Sequence, residues 1–236
     1  MSLPSCFVKY EGALRFCRKA QVMQSQLYSI GIGAIAIVAL QRAALVHYIF
    51  FARFLAYRKR AVATPSSWTD YITYAEPTLL LALTLFLWKT HEVPADPTAF
   101  QLASVCLGAT LVVGALALQV WCLRAFPTLS VGHYVLTDQR VVTEGPYAYV
   151  RHPIYAAAIM IWVSVAIGFG STIAGLITIA YVVPSYYIYS RSEEEMMLQH
   201  FGDAYRVYRE GTGGFVPRLT QFREKVTQVS SSETNR

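Results

Sequence analysis

Five stretches of the chain run apolar for close to the length of a bilayer crossing, and polar, turn-rich segments separate them. They cover roughly 28–51, 71–89, 100–123, 154–169 and 171–190. A helix rises about 1.5 Å per residue, so about 20 apolar residues cross the hydrocarbon. The pattern predicts five transmembrane helices, the first interrupted by Gln41 and Arg42. The fourth and fifth touch through "GFGS" at 168–171, which predicts a tight helical hairpin. Such a hairpin returns residue 191 to the side of the membrane that residue 153 left. From 191 onward the pattern changes. "RSEEEMMLQHFGDAYRVYRE" is charged, with Met197, Phe201 and Tyr205 at intervals of four, predicting an amphipathic helix broken or bent near Gly202. "GTGGFVP" ends it, and a polar, disordered tail is expected beyond. The expected fold is an all-α integral membrane protein: about five transmembrane helices, a C-terminal helical hairpin and a cytosolic amphipathic helix. It divides into N-terminal membrane helices (1–130), a catalytic region (131–217) and the tail (218–236).

Composition agrees. Charged residues make up 14% of the chain, against about 25% in soluble domains. That deficit leaves too little polar surface to cover a globule in water. The net charge of +6 reads as basic flanks facing anionic headgroups, not as a nucleic-acid surface. Cys6, Cys17, Cys106 and Cys122 have no metal-ligand spacing and read as buried free thiols. The N-terminus lacks the apolar core of a signal peptide, and "SSETNR" is no lipidation signal.

Basic loops set the expected orientation. "RFLAYRKR", after the first span, is assigned to the cytosol, as are 124–153 and the chain from 191. The connection at 89–99 then lies on the opposite side. Five spans also put Lys9, Arg15, Arg18 and Lys19 across the membrane from the tail, against that rule. Either residues 5–24 form an interfacial helix, or 28–57 is a bent pair of shorter segments.

The topology brings "TDQRVVTEGPYAYVRHP" and "RSEEE" to one cytosolic mouth. Together they hold a cation pair, a carboxylate run, hydroxyls and loop N–H donors, a set suited to a zwitterionic, nucleotide-like ligand. No Gly-rich phosphate cradle, His/Cys metal set or Ser-His-Asp arrangement accompanies them. Each feature alone has a structural explanation. Pro153 fits the first turn of a helix. Arg151 and His152 fit interfacial anchors, and Tyr147, Tyr149 and Tyr155 an aromatic belt. Ser192 and Glu195 match a capping box. The joint occurrence of both clusters, bracketing a hairpin, carries more weight than any one of them.

"VVTEGPYAYVRHPIY" followed by "EEEMMLQHFGDAYRVY" resembles the isoprenylcysteine carboxyl methyltransferase family and its phospholipid-methyltransferase relatives, over about 139–217. The resemblance implies an integral membrane enzyme that uses S-adenosylmethionine in a cytosolic pocket. The implied cofactor-binding residues are Gln139, Arg140, Val141, Val142, Tyr147, His152, Pro153, Ile154, Tyr155 and Glu193. The implied catalytic residues are Arg151, Tyr189 and Glu194, with Arg151 or Tyr189 orienting the acceptor; no metal is implied. The family commonly has His where Gln139 stands. Prenylcysteine enzymes carry a carboxylate-binding arginine where ungapped spacing here gives Tyr189. The implied reaction is in-line attack of an ionised carboxylate on a sulfonium methyl, which calls for orientation and exclusion of water more than for a strong base. The implied acceptor is a prenylated protein C-terminus or a small prenyl or lipid molecule at the endoplasmic reticulum. A methyltransferase for another lipid or terpenoid acceptor, and a non-enzymatic membrane adaptor, stand as alternatives.

Overall fold

The computed structural model describes residues 5–57, 61–63, 67–126, 135–136 and 139–218. The expected disordered tail from 219 lies outside them. Among the described residues the regular structure is helical apart from a short antiparallel ribbon, β1 (Ala61–Ala63) against β2 (Val135–Leu136). The sequence reading had no strands; three- and two-residue strands are too short to leave a period-2 pattern.

Helix α1 (Ser5–Tyr57) is continuous. Residues 5–24 and 28–57 are one unbroken helix, and 28–57 is not the bent pair of shorter segments offered as an alternative. Helix α2 is Ser67–Thr90 with Pro77 inside it, and α3 is Ala99–Ala125. Thr98 caps α3 through a full capping box with Gln101. After a 3-10 turn at Gly145–Ala148 comes α4 (Pro153–Gly168). "GFGS" forms a short connection, in which Gly170 takes φ +60 and the Ser171 side chain caps α5 (Thr172–Ile177).

The fifth apolar run does not end near 190. A π-helical turn (Thr178–Val182) joins α5 to α6 (Val183–Phe201). Pro184, which has no N–H to donate, stands just inside α6, and the widened turn precedes it. Ser192 and Glu195 therefore lie within a continuous helix and do not cap one. Gly202, at φ +56, separates α6 from α7 (Asp203–Gly211).

Among the described residues, three helical stretches are long and apolar enough to cross a membrane: Arg15–His47, Ala99–Ala125 and Thr172–Phe201. Of the cysteines expected to be buried, Cys122 is, whereas Cys17 and Cys106 lie on outward faces of α1 and α3 and are exposed. The shorter apolar α4 packs among them. α3 and α4 approach closely because Gly108 has no side chain. A Cβ there would meet Ile35 at 2.9 Å and the Ser164 carbonyl at 3.0 Å. Small residues at membrane helix crossings allow such contact, and the Ser164 hydroxyl donates to the Gly108 carbonyl at 2.7 Å. Ile35, Val112, Ile161, Trp162 and Val165 fill the buried core around this crossing.

The two ends of the bundle differ. At one end the Tyr28 hydroxyl lies 3.0 Å from His91 Nε2, and His91 packs edge-on to Phe169 of the α4–α5 connection. At the other end the loop before α4, the end of α6 and α7 meet.

Candidate active site

The loop before α4 is tied down from three directions. Gly145 has φ +59, and a Cβ on it would lie 2.7 Å from the Ala125 Cβ, so only glycine lets the loop turn against the end of α3. Trp121 and Phe126 then pack against Tyr149 and Tyr147. From the C-terminal side, the segment after α7 runs beside the loop in a parallel bridge, Val150 to Gly213. The Arg151 and His152 amides donate to the Gly213 and Gly214 carbonyls at 2.8 and 3.1 Å. The Tyr208 hydroxyl of α7 donates to the Tyr147 carbonyl at 2.8 Å.

These constraints set a cluster of charged side chains. Arg151 donates from Nε to Glu194 Oε1 at 2.9 Å, with Nη2 at the same distance. Its Nη1 donates to the carbonyls of Arg209 and Thr212. His152 lies between two carboxylates, with Nε2 3.0 Å from Glu194 Oε1 and Nδ1 3.5 Å from Glu193 Oε2. Burial alone would push the His152 pKa down. Hydrogen bonds and charge from both glutamates outweigh it and raise the pKa above the usual value. The Tyr155 hydroxyl donates to Glu193 Oε2 at 3.0 Å. The His152 and Tyr155 rings stack, and Phe215 leans on His152.

A pocket of about 760 Å³, its open mouth included, lies over this cluster. Of the residues expected from the sequence, Gln139, Val141, Val142, Tyr147, Arg151, His152, Ile154, Tyr155 and Glu193 line it. Four others stand elsewhere. Arg140 points out and pairs with Glu144 at 3.1 Å. Pro153 is buried at the first position of α4. Glu194 is buried behind the wall, holding Arg151 and His152. Tyr189 is only 1% exposed and meets Tyr155 edge-on at 5.8 Å, behind the pocket.

The pocket also takes Phe126, Met196, Met197, Tyr205 and Tyr208, which sequence reasoning did not single out as a site. Met197 and Tyr205 had been read as the apolar stripe of an amphipathic helix. The bend at Gly202 turns that stripe onto the pocket. Burial raises the pKa of Tyr147, Tyr205 and Tyr208, so all three are neutral phenols at ordinary pH, donors and not bases. The arrangement thus offers one partly open carboxylate, Glu193, among aromatic and thioether surfaces. It can receive a cationic, partly apolar ligand.

Known proteins are similar to this chain over most of its length. Over 181 residues the chain is 25% identical to Methanethiol S-methyltransferase 1 of Bradyrhizobium diazoefficiens, covering 70% of this chain and 59% of that protein. Over 173 residues it is 26% identical to the nickel-cobalt-cadmium resistance protein NccN of Alcaligenes xylosoxydans xylosoxydans, covering 72% and 77%. The pattern of the phospholipid methyltransferase family matches residues 103–204, from α3 through the pocket loop and α4 to the start of α7. That match takes in both polar clusters, so this part of the chain is similar to the phospholipid methyltransferase family, the group to which the isoprenylcysteine methyltransferase resemblance also points.

Proposed function

We propose that the protein is an S-adenosylmethionine-dependent methyltransferase whose pocket opens at a membrane face. One observation carries the reading: Glu193, fixed by Tyr155 and His152, is the partly open carboxylate of an aromatic-walled pocket. The donor set fits the cofactor. Glu193 would take its α-ammonium, and Tyr147, Ile154, Met196 and Met197 would cover its apolar parts, with the 139–142 backbone alongside. S-adenosylmethionine supplies an electrophilic methyl on a sulfonium. The chain's residues orient the reactants, and aromatic walls exclude water where opposite charges neutralise.

In this reading α2 and α4 complete five crossings with the three long apolar stretches. The mouth faces the cytosol, on the argument from the basic 53–60 segment. The acceptor implied by the resemblance is the carboxylate of a prenylated cysteine or a similar prenyl or lipid acid, its tail entering from the bilayer. Assignment to the endoplasmic reticulum rests on that resemblance alone.

A second acceptor reading has its own support. Arg151 is committed through Nε, Nη1 and Nη2 to Glu194 and two carbonyls, and Tyr189 stands behind Tyr155. Neither is free at the wall to grip a carboxylate. An uncharged nucleophile, a thiol or an amine on an apolar body, needs no such grip, and one relative is named for a thiol acceptor.

The test is calorimetry of S-adenosylmethionine with purified protein in lipid nanodiscs. Methyl transfer to farnesylcysteine, phosphatidylethanolamine and an alkanethiol follows. Binding with transfer to farnesylcysteine supports the first acceptor, and transfer to the thiol or amine the second. No cofactor binding by folded protein rejects both and returns the adaptor reading.

A further inference from the structure

Below the pocket, side chains from four helices converge in the apolar part of the bundle. Glu76 of α2 is 1% exposed and Arg42 of α1 6%. Glu76 accepts hydrogen bonds from Trp162 Nε1 of α4 at 2.5 Å and from the Tyr186 hydroxyl of α6 at 2.9 Å. Arg42 Nη2 donates to the same hydroxyl at 3.0 Å and lies 3.8 Å from Glu76. The Tyr186 oxygen is therefore held on both sides, as donor to Glu76 and acceptor from Arg42.

Tyr186 is seven residues before Glu193, about 10 Å along the helix. Its ring stacks on Tyr155 with centroids 5.0 Å apart, and Tyr155 donates to Glu193. A continuous set of contacts thus runs from a buried ion pair on α1 and α2 to the carboxylate at the pocket wall. Ionised groups at membrane depth are costly. A buried pair is often no more stabilising than apolar residues of the same size. Packing alone does not account for this one.

We propose that Arg42 and Glu76 are positioning residues for the pocket. By fixing the Tyr186 hydroxyl they hold its ring, and the ring holds Tyr155 in the orientation that binds Glu193. Both lie outside the region matched by the family, 103–204. The N-terminal helices, on this account, set the affinity and geometry of a site they do not line. The inference rests on the methyltransferase reading.

The experiment is a double-mutant cycle in lipid nanodiscs, read by calorimetric affinity for S-adenosylmethionine and S-adenosylhomocysteine, with melting temperature as a control. Tyr186→Phe keeps the stacked ring and removes only the hydroxyl. Arg42→Met leaves Glu76 its two neutral donors. Each is expected to weaken cofactor binding roughly three- to tenfold, a range set by coupling energies of contacting residues. In a Tyr155→Phe background, where the bond to Glu193 is already gone, each is expected to change cofactor affinity little further. A plain structural role would lower the melting temperature and leave affinity alone, or weaken affinity equally in both backgrounds. Either result overturns the proposal, and Tyr186→Phe provides the gentlest case if Arg42→Met fails to fold. If the wild-type protein binds neither ligand, the methyltransferase reading fails and takes this inference with it. If wild type binds and both variants match it, the inference alone fails.

Discussion

Glu193 and Glu194 are neighbours in sequence and opposites in role. Glu193 faces the pocket, while Glu194 is turned inward onto Arg151 and His152. Glu193→Gln is therefore expected to weaken S-adenosylmethionine binding by the value of one charge-assisted hydrogen bond, about 1.5–3 kcal/mol, with little change in melting temperature. Glu194→Gln is expected to act chiefly on the fold, because it removes the buried counter-charge of the partly buried Arg151, a change that approaches the about 3–5 kcal/mol of a fully buried pair. Calorimetry and thermal melts on both variants separate the two. His152 adds a pH signature. Its pKa is raised above the ordinary 6.5 by the two glutamates, so the fold favours the protonated ring. Its contribution is complete below 6.5 and is lost as pH rises through the raised value. The stability gap between wild type and His152→Gln is expected to narrow as buffer moves from below 6.5 into the alkaline range. Residue types and spacing told the two clusters apart from their surroundings, because Arg, His and Glu between apolar runs are legible as letters. Which glutamate faces the cavity is decided by helix rotation against neighbours that a single sequence does not display. Tyr189 illustrates the limit. One turn before Glu193, it was expected in the pocket, but Tyr155 fills the space in front of it.

Elements were legible to the extent that their causes are local. Apolar length announced the helices, and "GFGS" announced the connection before α5. The merging of the fifth span into α6 depends on a widened turn that lets the helix pass Pro184. The composition change at 191 gave the opposite impression, because a helix leaving the bilayer changes its residues without ending. The loop before α4 is the element most dependent on one residue. Gly145→Ala puts a side chain at φ +59 and 2.7 Å from Ala125. It is expected to cost about 1–3 kcal/mol in strain and to displace Tyr147 from the pocket. The readout is reduced cofactor affinity in a protein whose helical circular dichroism is unchanged.

At the scale of the whole molecule, the pocket is built by parts far apart in the chain. α3 closes one wall, the loop before α4 and helix α6 supply the charges, and the α1–α2 ion pair supports the floor. The parallel bridge of Val150 with Gly213 adds the last part. Sequence reading saw "GTGGFVP" as a helix stop at the edge of the resemblance and gave it no part in the site, since carbonyls that accept from Arg151 and His152 belong to the backbone and have no letter of their own. A chain ending at Gly211 is expected to keep its helices and membrane insertion but to bind no cofactor, as calorimetry in nanodiscs would test. That dependence has a consequence for biosynthesis. The ribosome delivers helices α1 to α7 before it delivers residues 212–215, so the pocket is completed only after the helices that frame it have been made. A nascent chain that lacks them therefore has its charged side chains in place along the helices before the backbone carbonyls that hold Arg151 and His152 exist.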